Sequence, residues 1–489
     1  MSASQQKRYR KDVTSFGTNT KEDKDGKKFK RNATIVIAVI VVLALVVMFL
    51  NSNLFYRHVP ALEVNGQKYT IADYNFYYYT AYYRMYSNYY NMYGSYASAF
   101  MPGNDEMRSY AISLIQETQA FHDAAVEAGY TLSDEAQANL EQTYADLEAA
   151  AKEEGVTSVN RYLKAVMGRG VNFELYKENM AYYTLAQQYS QEIRNSFTYS
   201  ADQLATYYDE HKDTYDVISY RMFFFDGSDG DNAMAKAEEN AKAFESAITD
   251  EDSFAELALQ YAPAESKEQY ENADATLYAY PGQSLLSYAA EYAEWLLDAG
   301  RDPGETTVVE AASGSGYYVV YFVDRNDNDY NTKNVRHILF ATNSLSVDEF
   351  ETEEAYEAAL EELKAEKLAQ AEDIYAQWKA GGATEESFAQ LADEYSEDGS
   401  EGGLYEDVHL NQMVKAFNDW CFDAERKAGD TDIVETEYGY HIMYFIGDGE
   451  KYCDSIADEQ LRSADYSAWI EDAVSTFTVS THWVLKLAR

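Results

Sequence analysis

The chain opens on a polar stretch and then runs apolar without a break from Ala33 to Leu50, ATIVIAVIVVLALVVMFL, with no charge in it. A helix of that length rises about 27 Å, close to the roughly 30 Å hydrocarbon thickness of a bilayer. The pattern predicts a retained single-span membrane helix. The long polar stretch ahead of it and the lack of an A-x-A site behind it argue against a cleaved signal peptide. Between Ile71 and Asp216 the apolar residues recur at steps of three and four, predicting a helical region with long helices over 134–154 and 173–197. At Val217 the pattern turns β-rich, in VISYRMFFF. A last helix is predicted from Ile456 onward, with Trp469 and Ile470 packing back on the N-terminal helices.

What begins at Val217 occurs twice. The first copy reads SYRMFF (219–224), FAELALQYA (254–262), EWLLDAGRDPGETTVVEA (294–311) and GYYVVYFVDR (316–325). The second reads VRHILF (335–340), FAQLADEYS (388–396), DWCFDAERKAGDTDIVET (419–436) and GYHIMYFIGD (439–448). Four blocks in the same order at similar spacing indicate a tandem duplication. Each copy predicts a strand, helices and two closing strands, a small α+β unit with an antiparallel sheet. The intervening NDNDYNTKN (326–334) lacks the glycine and closing glutamate of a calcium loop and reads as a solvated polar linker. The expected organisation is therefore a basic tail over 1–32, a transmembrane helix over 33–50, a helical domain over 51–216, repeats over 217–328 and 333–448, and a helical tail over 449–489. The fold class is α+β.

Charge orients this arrangement. Residues 1–32 carry ten Lys/Arg and four Asp/Glu, while the rest carries 29 against 80, a balance of -51. Lys27, Lys28, Lys30 and Arg31 directly before the span put the N-terminus in the cytoplasm and the acidic bulk outside the cell membrane. Such an acidic chain excludes the phosphate backbone of nucleic acid as a partner, since that affinity comes from Lys and Arg releasing counterions. Two cysteines exclude a disulfide scaffold and a Cys-rich zinc module. Whether Cys421 and Cys453 pair is open; Cys421, between Trp420 and Phe422, reads as a buried inert thiol rather than a nucleophile for His441. Seven scattered histidines show no zinc spacing, and there is no Walker loop or serine elbow, so no metal or cofactor is expected.

Eleven tyrosines fall within the 23 residues Tyr74–Tyr96. Tyr79, Tyr82, Tyr86, Tyr89, Tyr93 and Tyr96 alternate steps of three and four and share one helix face, with Tyr77, Tyr78, Tyr83 and Tyr90 off it. Two readings stand. The stripe packs on neighbouring helices, or it offers unfolded chain segments broad apolar contact with hydroxyls that tolerate water.

The second repeat resembles the parvulin family of peptidyl-prolyl isomerases over residues 333–448. The resemblance rests on the VRHILF strand, FAQLADEYSEDGSEGGL (388–404), QMVKAF (412–417) and YGYHIMYF (438–445). Tyr405 follows Leu404 where the common pattern reads GGDLG. The helical region with its TYYDEHKDTY lead-in is similar to that of PrsA-like and SurA-like extracytoplasmic foldases, in pattern more than in motif. Carried over by position, the resemblance implies a polar network of His337, Asp398 and His441 and a proline-ring pocket of Leu404, Met413 and Phe417. It also implies unfolded or newly exported polypeptides with X-Pro bonds as partners. In the first repeat the matching positions are Arg221, Ala264 and Tyr318, implying a catalytically silent module, a spacer or a peptide-binding unit.

The chemistry asks for these residue types. Rotation about an X-Pro bond crosses roughly 18–20 kcal/mol of amide resonance without making or breaking a bond. An apolar cradle for the ring and polar groups that favour the twisted amide are sufficient, and no strong nucleophile is needed. Met413 and Phe417, four apart, share a helix face. The expected floor is His337 and His441 holding each other and Asp398, with Asp398 near the substrate carbonyl. The competing reading is a non-catalytic holdase whose repeats only bind peptide.

Overall fold

The computed structural model describes residues 20–488 except 229 and 231, with side chains from residue 28 onward. Most of the basic tail expected over 1–32 lies outside the described residues. Two compact units divide the chain, one running to Phe197 and resuming at Ser463, the other Thr198–Arg462.

The first unit begins with helix α1 (Thr20–Leu50). Its stretch Lys28–Leu50 is long and apolar enough to cross a membrane, with a mean hydropathy of 3.3 and no part buried in the protein. A short helix α2 (Asn53–His58) leads into a hairpin of β1 (Pro60–Val64) and β2 (Gln67–Thr70). The connecting Asn65 and Gly66 both have positive φ, the two-residue turn whose twist matches the flanking strands. Helix α3 (Ile71–Tyr93) starts at a capping box in which Thr70 and Asp73 satisfy each other's backbone N–H groups. The helices α4 (Asn104–Glu127), α5 (Asp134–Glu153), α6 (Val159–Val166) and α7 (Phe173–Ser196) follow. They enclose a core that includes Leu62, Ile71, Tyr74, Phe76, Tyr77, Ile115 and Leu163.

The tyrosine-rich helix divides differently from its sequence stripe. Tyr74, Tyr77 and Tyr78 are buried, whereas Tyr82, Tyr83, Tyr90, Tyr93 and Tyr96 are exposed, Tyr83 to 60% and Tyr96 to 74%. Tyr77 and Tyr78, off the stripe, are thus the ones that pack. The stripe's rings lie against each other one turn apart, Tyr82 on Tyr86 at 6.3 Å and Tyr89 on Tyr93 at 6.2 Å. Helix α3 ends at Tyr93, so Tyr96 sits beyond it in a 3-10 turn.

In the second unit, α8 (Ala201–Glu210) precedes the first repeat: β3 (Val217–Asp226), α9 (Ala233–Ala247), α10 (Glu251–Tyr261), β4 (Leu277–Pro281), α11 (Gly282–Tyr288), α12 (Ala293–Leu297), β5 (Thr306–Glu310) and β6 (Gly316–Asn326). The second repeat has β7 (Asn331–Ala341), α13 (Glu353–Ala380), α14 (Glu385–Tyr395), β8 (Leu404–Val408), α15 (Lys415–Cys421), β9 (Thr431–Thr436) and β10 (Gly439–Lys451). Their antiparallel sheets have the same order, β4-β3-β6-β5 and β8-β7-β10-β9. Helix α16 (Tyr452–Ser475) follows, and strand β11 (Val479–Thr481) pairs with β1 in the register Leu62 with Thr481. The tail is therefore not purely helical. As expected, it packs on the N-terminal helices, where Trp469 stacks on Phe121 at 4.6 Å.

Two boundaries differ from the sequence reading. The units divide at 197/198 rather than at 216, and residues 326–334 are not a solvated linker. Asn328 is 1% exposed, with φ +57, and its amide donates to the Tyr208 hydroxyl (2.8 Å) and the Tyr215 carbonyl (2.9 Å). Tyr208 in turn donates to Asp216 at 3.1 Å. These bonds tie α8 to the join between the repeats, so the helix belongs with the second unit.

The repeats also align one residue away from the sequence reading at the first strand. Arg336 pairs with Glu385 at 3.0 Å, and Arg221 pairs with Glu251 at 2.9 Å. Each glutamate opens a helix under the same capping box, Thr384 with Ser387 and Asp250 with Ser253, three residues before a buried phenylalanine, Phe388 or Phe254. Arg221 therefore corresponds to Arg336, and the residue standing where the second repeat has His337 is Met222. Ala264 and Tyr318 keep their assignments by spacing from Phe254 and Gly316.

Candidate active site

Strands β7 and β10 are central in their sheet and set Met443 directly opposite His337, and His441 opposite Leu339. Alternation then gives the sheet two faces. Ile338, Phe340, Tyr440 and Ile442 pack under α13 and α14 with Trp378 and Phe388. Val335, Met443 and Phe445 face α15 with Phe417, Trp420 and Cys421. His337 and His441 are on this second face, almost wholly buried.

The two imidazoles meet through their Nδ1 atoms at 3.1 Å. His441 Nε2 lies 2.9 Å from Thr436 Oγ1. His337 Nε2 lies 3.4 Å from Asp398 Oδ2, within ion-pair range but without hydrogen-bond alignment. The Asp398 end sets the proton direction: Thr436 donates to His441 Nε2 at 2.9 Å in preference to its longer 3.4 Å contact with the Gly439 carbonyl, His441 Nδ1–H donates to His337 Nδ1, and His337 Nε2–H faces the carboxylate. The reverse would aim a nitrogen lone pair at Asp398, so we assign the tautomers this way. Phe417, 2% exposed, stands edge-on to both rings at 5.5 Å and fixes their planes.

The loop after α14 brings Asp398 to this pair. The Ser396 hydroxyl accepts from the backbone of Leu339 (3.1 Å) and of Asp398 (3.2 Å), and Glu397 N–H donates to the Leu339 carbonyl at 2.9 Å. The Asp398 carboxylate accepts from Ser400 N–H at 3.0 Å and from the Tyr405 hydroxyl at 2.7 Å. Burial opposes its ionisation, but these bonds and His337 outweigh it and hold its carboxyl below the ordinary range. Burial, then Asp398, push Tyr405 up to about 12. Burial holds His337 low against the pull of Asp398; burial and then His337 bring His441 down to about 4. Near neutral pH the site is two neutral imidazoles, a phenol and an ionised carboxylate.

Of the sequence candidates, His337, Asp398, His441, Met413 and Phe417 come together. Met413 packs half-buried against the Phe417 cluster. Leu404 does not join them. In the sheet Leu404 opposes Arg336 and Tyr405 opposes Val335, so Leu404 is on the α13–α14 side and Tyr405 is on the Phe417 side. Counting from Gly402-Gly403, the GGDLG pattern likewise sets its leucine at Tyr405. Tyr405 and Thr436 are the site residues that sequence reasoning missed; the glycine count pointed to the first, and nothing singled out the second. In the first repeat the corresponding face carries Met222, Tyr278, Tyr292 and Tyr318 in an apolar cluster. The cysteines are free, and burial raises the Cys421 thiol to about 12, far from a reactive thiolate. Among the described residues no cluster of three His, Cys, Asp or Glu has metal-binding geometry.

Residues 317–446 match the family model of the PPIC-type PPIASE domain. No curated protein matches the sequence. Among solved structures, the peptidylprolyl isomerase PrsA of Bacillus cereus aligns at 13% identity over 86% of this chain and 87% of its own, with a TM-score of 0.18. The foldase protein PrsA of Streptococcus pneumoniae aligns at 15% over 52% and 76% (TM-score 0.20), and that of Lactococcus lactis at 11% over 69% and 100% (TM-score 0.19).

Proposed function

We propose that the second repeat is a peptidyl-prolyl cis-trans isomerase of parvulin type, carried by a chain anchored through Ala33–Leu50 with its bulk outside the cytoplasm, where it assists the folding of exported polypeptides. The observation that carries this reading is the single hydrogen-bonded chain Thr436–His441–His337, continued by the Asp398–Tyr405 pair, within the region that matches the PPIC-type model.

The roles follow from exposure. His337, His441 and Phe417 are buried and act as the floor, positioning residues rather than substrate contacts. Asp398, Tyr405 and Met413 are the part-exposed groups that meet the peptide. Resonance in a planar X-Pro amide places negative charge on its carbonyl oxygen, and twisting withdraws it. A fixed carboxylate beside that oxygen raises the planar state more than the twisted one, while Met413 and the edge of Phe417 take the prolyl ring. That differential binding is the catalytic resource. In a proline-peptide isomerisation assay on the full chain, Asp398→Ala is expected to lower kcat/KM by about 10–100-fold, or 1.4–2.8 kcal/mol. Unchanged kcat/KM in a folded variant would remove the proposal.

A second activity, holding unfolded segments, is favoured by the exposed tyrosine ladder of α3. Replacing the exposed Tyr82, Tyr83, Tyr90 and Tyr93 of α3 with serine is expected to weaken suppression of client aggregation and to leave isomerisation rates unchanged. Unaltered suppression would assign the ladder to packing.

A further inference from the structure

In a chain of net charge -45, one cavity is lined by cations without a single acid. It measures about 280 Å³, lies in the first unit, and is lined by Arg108, Thr481, His482, Trp483, Leu485 and Lys486. Arg108 arrives from the first turns of α4; the rest come from β11 and the turn that follows it. One Arg108 nitrogen is engaged by Asp105 at 3.1 Å, a carboxylate that is otherwise fully exposed, whereas its Nε is buried with no partner. Nε is closed off from the hollow, so what Arg108 offers there is the positive charge of its guanidinium; with the Lys486 ammonium and the Thr481 hydroxyl it makes a lining that phosphate oxygens suit.

We propose that this cavity binds a phosphate group, supplied by the headgroup of an anionic phospholipid. Two further observations point to that source. Leu62, which pairs with Thr481, is only twelve residues after the end of the span at Leu50, and six of these form α2. The connection reaches at most about 30 Å, so the cavity stays close to the membrane face. At its rim Trp483 is exposed to 67%, and Leu487 next to Lys486 is exposed too; on the connection from the span, Leu54 of α2 is also exposed. An exposed tryptophan beside leucines is the composition of a bilayer interface. The acidic bulk is repelled by an anionic membrane surface, and the cavity would supply a local contact that sets how the first unit stands on it.

Calorimetric titration of the full chain in a neutral detergent tests this, with inorganic phosphate, dihexanoylphosphatidylglycerol and dihexanoylphosphatidylcholine as probes. Phosphate and the glycerol lipid are expected to bind, the lipid about tenfold tighter, and Lys486→Gln and Arg108→Gln each to weaken both about tenfold or more. Lys486 is exposed, so its replacement leaves the fold intact. Equal affinity for phosphate and the glycerol lipid would keep the phosphate site and overturn the lipid as its source. No binding of either, or binding that Lys486→Gln leaves unchanged and that phosphatidylcholine equals, would overturn the site. The lipid source rests on the proposed anchor, while the phosphate titration does not, so the two can fail separately.

Discussion

Gly403→Ala is expected to destabilise the second repeat by about 4 kcal/mol or more, which places it among the exceptional single substitutions. Gly403 has φ +62, a conformation that costs a residue with a Cβ roughly 1 kcal/mol. Steric contact costs more. A Cβ built there would meet the His337 carbonyl oxygen at 2.1 Å and the Ala392 Cβ at 3.0 Å. Neither neighbour is a flexible side-chain end: one is backbone of the central strand β7, the other sits on α14 against it. Relief requires β8 to move off β7, which pulls Tyr405 from Asp398. Gly399, four residues earlier, is the control, since a Cβ there meets nothing within 4 Å and its φ is not positive. In amide hydrogen exchange on the full chain, protection of residues 335–340 is expected to fall roughly 10³-fold in Gly403→Ala and to stay within about twofold in Gly399→Ala. Equal protection in the two variants would show that β8 tolerates the methyl group and that the glycine pair is not what seats Tyr405.

The same glycine marks where the sequence was and was not legible. His337 and His441 were readable because each lies in an apolar strand whose neighbours fix a motif, and Asp398 because serines flank it at two residues on either side, Ser396 bonding the loop to β7 and Ser400 bonding the carboxylate. Leu404 was misread because period-two alternation assigns a face only once the register is known, and a shift of one residue exchanges the two faces. Register here depends on the glycine pair and on a bulge between Lys333 and Val335, a three-dimensional fact. The one-residue misalignment of Arg221 has the same origin. The arginine and the glutamate that fix it are 30 residues apart in the first repeat and 49 in the second, so equal spacing could not reveal the pair. Composition suited Tyr74–Tyr96 to either packing or exposure, and the outcome turned on which face of α3 meets α4 and α7. Asn328 was the least legible, since a polar residue among polar residues gives no sign that its amide is buried.

Between about pH 6.5 and 4 the second repeat is expected to lose stability through the histidine pair. The folded-state pKa of His441 is brought from 6.5 to about 4 by burial and then by His337, so the unfolded chain binds a proton there that the folded chain refuses. Stability therefore rises with pH across that window. The contribution is fully present above the unfolded pKa and is lost as pH falls toward the folded one. For His441 alone the loss between pH 7.5 and 4.5 is about 2.5 kcal/mol, using 1.36 kcal/mol per unit. His337 is depressed in the same direction and adds to it. Asp398 is depressed from 3.8 and gives way only below this window. The rest of the acidic chain also titrates, so the informative quantity is a difference between proteins. The non-titrating His441→Asn chain is expected to lose about 2.5 kcal/mol less than the wild type over this interval, read from exchange protection of residues 439–445 at the two pH values. Parallel losses would mean that the imidazoles take up protons in the folded state, which would contradict the buried neutral pair on which the tautomer assignment rests. The physical consequence of that pair is a constraint on where such a site works. Two neutral imidazoles can form a dry, rigid floor for a rotating amide only while the surroundings stay above the pH at which unfolding captures a proton, and the ionised Asp398 beside them sets no lower limit until the floor has already gone.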